Sequence, residues 1–154
     1  METQPNPLMQ VKPIAGKKFP VFLVDDDESY LSALGFRLMK DDDHHDYKVY
    51  CYSTGEDCIH HLTLEPKLVI LDYYLNANDP KAMSGMDVIR KIKLLRPEIP
   101  IVVLSGQHSM NIALETLHQG VYTYLLKDKT ALGKVEAIIH SFLSDGPTTT
   151  IQHS

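Results

Sequence analysis

From Phe19 onward the chain alternates between two kinds of segment, and this alternation limits the fold more than any other feature. The apolar run "FPVFLV" precedes "SYLSALGFRLM", which sets Leu31, Leu34 and Leu38 on one helical face. "YKVYCYS", rich in aromatic and β-branched residues, reads as a second strand. In "STGEDCIHHL", Ser53 stands three residues before Glu56, a capping-box spacing that predicts a helix start. "KLVIL" is a third strand, and Val88, Ile89, Ile92 and Leu95 stripe the helix after it, which Pro97 stops. "PIVVLSG" is a fourth strand, followed by the helix "SMNIALETLHQG" with Gly120 at its stop position. "TYLL" is a fifth, and Leu132, Val135, Ile138, Ile139 and Phe142 stripe a last helix.

Short strands without polar alternation, each covered by an amphipathic helix, imply a parallel sheet buried on both faces. Right-handed crossovers make this a doubly wound α/β sandwich of five βα units, the (βα)5 class. A chain of 154 residues with 44% hydrophobic residues suits one such domain. We expect it to occupy residues 19–143, with a flexible N-terminal tail at 1–18 and a C-terminal tail at 144–154. Residues 1–18 carry three prolines and no apolar periodicity. "SDGPTTTIQHS" holds turn-formers and small polar residues, with no effector module in it. Whether the domain stands alone or is cut from a longer chain stays open.

Composition excludes some functions. The formal net charge of -5 argues against binding nucleic acid through a basic surface. No apolar run reaches the roughly 18 to 20 residues that span a bilayer, and the N-terminus lacks a secretory h-region. The expected location is the cytoplasm. Cys51 and Cys58 match no zinc spacing and read as two half-buried thiols in a reducing compartment. "KDDDHHDYK", Lys40 to Lys48, reads as a solvated connection, and His60 and His61 as helix residues of which one faces solvent.

In open α/β sheets ligands sit beyond the carboxyl ends of the strands. There the sequence places Asp25 and Asp26 after the first strand, Asp72 after the third, Ser105 after the fourth and Lys127 after the fifth. Carboxylates about 4 Å apart repel by about 4 kcal/mol at an effective dielectric of 20. Lys127 offsets part of this, and a hard divalent cation such as magnesium, calcium or manganese is the natural second partner. A carboxylate can attack phosphorus to give an acyl phosphate, and a metal, an ammonium and a hydroxyl can neutralise the phosphoryl oxygens. Asp72 is the best-placed nucleophile. Asp27 and Glu28 read instead as the cap and first turn of a helix.

These residues, taken together and in order, resemble the receiver domains of two-component response regulators, over Phe19 to Leu143. The resemblance implies a flavodoxin-like sheet of strand order 2-1-3-4-5. It makes Asp72 the phosphoacceptor, Asp26 a direct ligand of Mg2+ (or Mn2+), Asp25 a ligand through water, and Tyr74 a ligand through its backbone carbonyl. Ser105 and Lys127 would hold the phosphoryl group, Gly106 would let its backbone N–H approach, and Tyr124 would be the aromatic switch. Tyr74 and Gln107 would flank the path of attacking water and tune phosphoryl lifetime. The implied partners are a sensor histidine kinase or histidine phosphotransfer protein and a downstream protein target, with no direct nucleic acid and no membrane. The chain would be a monomer or a phosphorylation-dependent dimer, and a phosphoacceptor switch rather than a multiple-turnover enzyme.

Two departures stand out. Asp128 follows Lys127 where the family usually has proline, so no cis peptide is expected there. The loop after Asp72, "NANDPKAMSG", is about five residues longer than usual, and its extra residues are read as a partner-recognition element. An unphosphorylated pseudo-receiver is the alternative, although no acid and no lysine of the set is missing. A magnesium-dependent phosphatase of the haloacid dehalogenase type would need an Asp where Tyr74 stands.

Overall fold

The computed structural model describes residues 18–40 and 46–144. Most of both expected tails, and residues 41–45 of the presumed connection, lie outside the described residues. Five strands, β1 (Phe19–Val24), β2 (Tyr47–Tyr52), β3 (Leu68–Leu71), β4 (Ile101–Ser105) and β5 (Thr123–Leu126), form one sheet. All neighbours pair parallel, in the order β2-β1-β3-β4-β5, which is the expected topology. Five helices alternate with them: α1 (Glu28–Leu38), α2 (Gly55–His60), α3 (Gly85–Leu95), α4 (Met110–His118) and α5 (Ala131–Ser144). No peptide bond among the described residues is cis.

The pleat divides the core in two. Phe22, Val24, Val69, Leu71, Ile101 and Val103 face the layer of α2 and α3. Val21, Leu23, Leu68, Ile70, Val102 and Leu104 face α1 and α5. Every residue of β3 and β4 is buried, which is why neither strand shows polar alternation in sequence. Each fully buried aliphatic side chain stabilises the fold by roughly 1.5–3 kcal/mol before entropic costs.

Local signals set the helix starts, with one correction. Asp27 caps α1, accepting the Tyr30 N–H at 3.1 Å. At α2 the cap is Thr54, whose hydroxyl accepts the Asp57 N–H at 3.1 Å, not Ser53. Glu56 does not reach back to close a capping box; its carboxylate accepts the Met83 N–H from the long loop. Tertiary demand for Glu56 displaces the local motif by one residue. A full capping box does form at α3, between Ser84 and Asp87. Leu95, expected on the buried stripe of α3, is 49% exposed because the helix ends there. Gly120 has φ +88, the left-handed conformation that ends α4.

Candidate functional site

Parallel pairing aligns the strand ends, so the polar residues that follow them share one edge. The backbone extends the ladder past the strands: Asp25 N–H donates to Tyr52 O at 3.1 Å and Asp72 N–H to Val24 O at 2.9 Å. Asp25 and Asp72 are therefore fixed by main-chain bonds next to each other, 2% and 6% exposed. Oxygen atoms of Asp25, Asp26 and Asp72 all lie within 4.8 Å of one another. From β5, the Lys127 ammonium reaches Asp25 Oδ2 at 2.6 Å and Asp72 Oδ2 at 3.3 Å. Its backbone is held in turn by Ser105, whose carbonyl accepts the Lys127 N–H at 2.8 Å.

Three carboxylates against one ammonium leave the cluster short of positive charge. Burial pushes the Asp25 carboxyl above the ordinary carboxylate value, and the Asp72 charge adds to this. The Lys127 hydrogen bond and the Asp27 N–H, 2.9 Å from Asp25 Oδ1, oppose that rise without cancelling it. For Lys127 burial alone would favour the neutral amine. The hydrogen bond to Asp25 and the charges of Asp72 and Asp25 outweigh it, so the ammonium is held above its usual value. Such a cluster could hold a cation through oxygen ligands alone.

Around this core the other expected residues take distinct places. Ser105 is fully buried at the end of β4, and its hydroxyl accepts the Gln107 N–H at 3.3 Å rather than touching a carboxylate. A Cβ on Gly106 would come no nearer than 4.0 Å to Lys127 Cδ, so the space beside it is open. The Tyr74 N–H donates to Asp72 Oδ1 at 3.2 Å and fixes that carboxylate's rotation. The Tyr74 phenol donates to Gln107 Oε1 at 3.0 Å, and the Tyr124 phenol donates to the Gln107 backbone carbonyl at 2.6 Å. Gln107 is thus tied to the loop after β3 and to β5 at once.

Three residues of this region escaped the sequence reading. Tyr30, in the first turn of α1, lies with its ring 4.5 Å below the Lys127 ammonium, a cation–π contact that no motif announces. Gly85 permits the long loop to close: its N–H donates to Tyr73 O at 3.0 Å, and an added Cβ would sit 2.3 Å from that oxygen. Ser-Gly at a helix start was a signal for it. Asn78, within the same loop, donates to Asp26 Oδ2 at 3.5 Å, and only the unusual loop length hinted at this.

The other candidates stay apart. His60 is exposed, and His61 is stacked on Tyr52 with Nδ1 2.7 Å from Asp57 O. Neither thiol is half-buried: Cys51 is exposed, whereas Cys58 is buried in the α2 layer and its thiol is pushed up to about 12 by that burial. Among the described residues the aspartate trio is the one His/Cys/Asp/Glu group arranged to hold a metal ion. No described helix is long and apolar enough to cross a membrane.

Known proteins share this fold and parts of its sequence. The family model described as "Response regulator receiver domain" matches residues 21–139. The transcriptional regulatory protein ZraR of Klebsiella oxytoca is 27% identical over 140 residues, 88% of this chain and 30% of its own length. GlrR of Escherichia coli K12, also a transcriptional regulatory protein, is 31% identical over 132 residues, 84% of this chain and 27% of its own. This chain therefore spans under a third of those relatives. The crystal structure of a response regulator receiver protein from Pseudomonas putida superposes with a TM-score of 0.67 at 27% identity, over 80% of this chain and 97% of that one. Fold, site-bearing sheet edge and family match agree, and the chain belongs to the receiver domain family of two-component response regulators.

Proposed function

We propose that this domain is a phosphorylation switch in which Asp72 accepts a phosphoryl group from a phosphohistidine of a sensor kinase or phosphotransfer protein. The observation that carries this reading is the Lys127 ammonium bridging Asp25 and Asp72 beside Asp26, at the end of the central strand. An Asp72 oxygen attacks phosphorus in line. The P–O bond forms as the P–N bond breaks, and the electron pair stays with the departing imidazole. Lys127, already bonded to Asp72 Oδ2, offsets charge on the transferred group without a large rearrangement. The Ser105 hydroxyl, bonded now as an acceptor from Gln107, keeps its own proton to donate to a phosphoryl oxygen.

The three aspartates fit an oxygen-preferring divalent ion, Mg2+ with Mn2+ as a substitute; Asp26 and Asp72 would hold it with the Tyr74 carbonyl, and Asp25 would hold it through water. Bound there, the ion supplies the positive charge that the cluster lacks. Tyr74 and Gln107, hydrogen-bonded to each other at 3.0 Å, restrict the approach of water and so lengthen the life of the acyl phosphate. Hydrolysis of that single group resets the switch; the domain is not a multiple-turnover enzyme. The output is a change in protein contacts in the cytoplasm, passed through the Gln107–Tyr124 bond to α4 and β5.

Asp72→Asn should abolish phosphoryl incorporation from acetyl phosphate in the presence of Mg2+, read on a phosphate-affinity gel. Labelling that persists at another residue would overturn the acceptor assignment.

A further inference from the structure

The long loop between β3 and α3 bears on the site itself, and the inference drawn from it rests on the proposed cation site. We propose that Asn78 is a positioning residue for cation binding, holding the Asp26 carboxylate in its binding rotamer through the amide N–H. The loop is anchored at its base. Leu75 is buried, Gly85 N–H donates to Tyr73 O at 3.0 Å, and Met83 N–H donates to Glu56 of α2. These ties fix where the exposed tip, residues 77–81, can reach, and Asn78 there meets Asp26 Oδ2 at 3.5 Å.

The three aspartates are not equally restrained. Asp25 is held by Lys127 and the Asp27 N–H, and Asp72 by Lys127 and the Tyr74 N–H. Among the described residues, Asn78 is the one hydrogen-bond donor to the Asp26 side chain. Without it, Asp26 is a carboxylate on a short solvent-facing turn, free to rotate away from its neighbours' charge. The loop's own acid is also kept off the site. Asp79 Oδ1 accepts the Lys81 N–H at 3.0 Å, and its carbonyl accepts the Ala82 N–H at 3.0 Å. The tip therefore offers the acidic cluster a neutral donor and turns its carboxylate onto its own backbone. The long contact distance suits a restraint on orientation rather than a strong bond. An ion can take the other Asp26 oxygen while the amide keeps Oδ2.

Titration of the whole chain with Mn2+, followed by the electron paramagnetic resonance signal of the free ion, tests this. Asn78→Ala should weaken Mn2+ binding about 10-fold, while Asn76→Ala on the same loop stays within about twofold of wild type. Thermal unfolding without cation should be the same for all three, since neither residue is buried. In acetyl phosphate labelling, Asn78→Ala should raise the half-saturating Mg2+ concentration and leave the plateau rate unchanged. Equal Mn2+ affinity of wild type and Asn78→Ala would overturn the inference and leave the site reading standing. So would equal weakening by both substitutions, because the loop and not Asn78 would then be responsible. A wild-type protein that binds no Mn2+ would overturn the site reading itself.

Discussion

Helices α3 and α4 both follow a strand of the central sheet and both show an amphipathic sequence, yet they are held very differently. α3 buries Gly85, Met86, Val88, Ile89 and Ile92. α4 buries Thr116 alone, whose hydroxyl is spent on the Ala113 carbonyl at 2.9 Å. Three of its large apolar residues point outward: Met110 is 65% exposed, Leu114 58% and Leu117 45%, while Ile112 is half-buried. Beside it lies a cleft of about 260 Å³ lined by Met110, Ala113, Tyr124, Leu126 and Lys134. The helix after β3 is part of the core. The helix after the Ser105 strand rests on the sheet with far less of its surface buried.

The sharpest way to break this comparison is to truncate one apolar residue on each helix. Ile89, fully buried, should cost about 2–5 kcal/mol when replaced by Ala, through lost burial and a cavity. Leu114→Ala removes a similar mass from an exposed site and should stay within about 0.5 kcal/mol of wild type. Urea unfolding of both variants measures the contrast. Equal losses would mean that α4 is docked as firmly as α3.

A smaller effect is expected at the end of α4. Gly120 has φ +88, and a Cβ there would meet Lys93 Cε at 3.7 Å, an ordinary contact. Gly120→Ala therefore meets no steric wall and pays only for the left-handed backbone, about 1–2 kcal/mol. If α4 opens independently, part of this loss appears as local opening in amide exchange and the urea midpoint falls by less. A full loss at the urea midpoint would join α4 to the global unit.

The same contrast explains what was legible in the sequence. The sheet order, the buried β3 and β4, and the stripe of α3 follow from hydrophobic pattern because burial and sequence period coincide there. The strand-end acids and Lys127 were legible because parallel strands bring their carboxyl ends together whatever lies between. The cap at Thr54 was misread as Ser53, since Glu56 answers to Met83 across the fold and not to its own helix. Leu114 and Leu117 carry a helical apolar pattern that the fold leaves uncovered, which the period cannot reveal. Tyr30 under Lys127 and Asn78 on Asp26 depend on where two distant segments end in space, and no local spacing encodes that.

The smallest change sharpens the comparison most. Tyr124 donates to Gln107 O at 2.6 Å, while Tyr74 holds the Gln107 side chain at 3.0 Å. These two phenols tie the segment leading into α4 to β5 on one side and to the loop after β3 on the other. Tyr124→Phe keeps the ring and removes one tie, so it should cost only about 0.5–1.5 kcal/mol. Its consequence should be local. Amides from Gln107 to Ala113 should exchange faster, while those of α3 keep their wild-type protection. If α3 amides accelerate by the same factor, the Gln107 ties serve global stability alone and α4 is not a separate unit. If only α4 responds, a single hydroxyl on β5 sets how firmly α4 is held. That hydroxyl holds the Gln107 carbonyl, and the Gln107 N–H donates in turn to the Ser105 hydroxyl, so the end of β4 and the approach to α4 share one chain of hydrogen bonds.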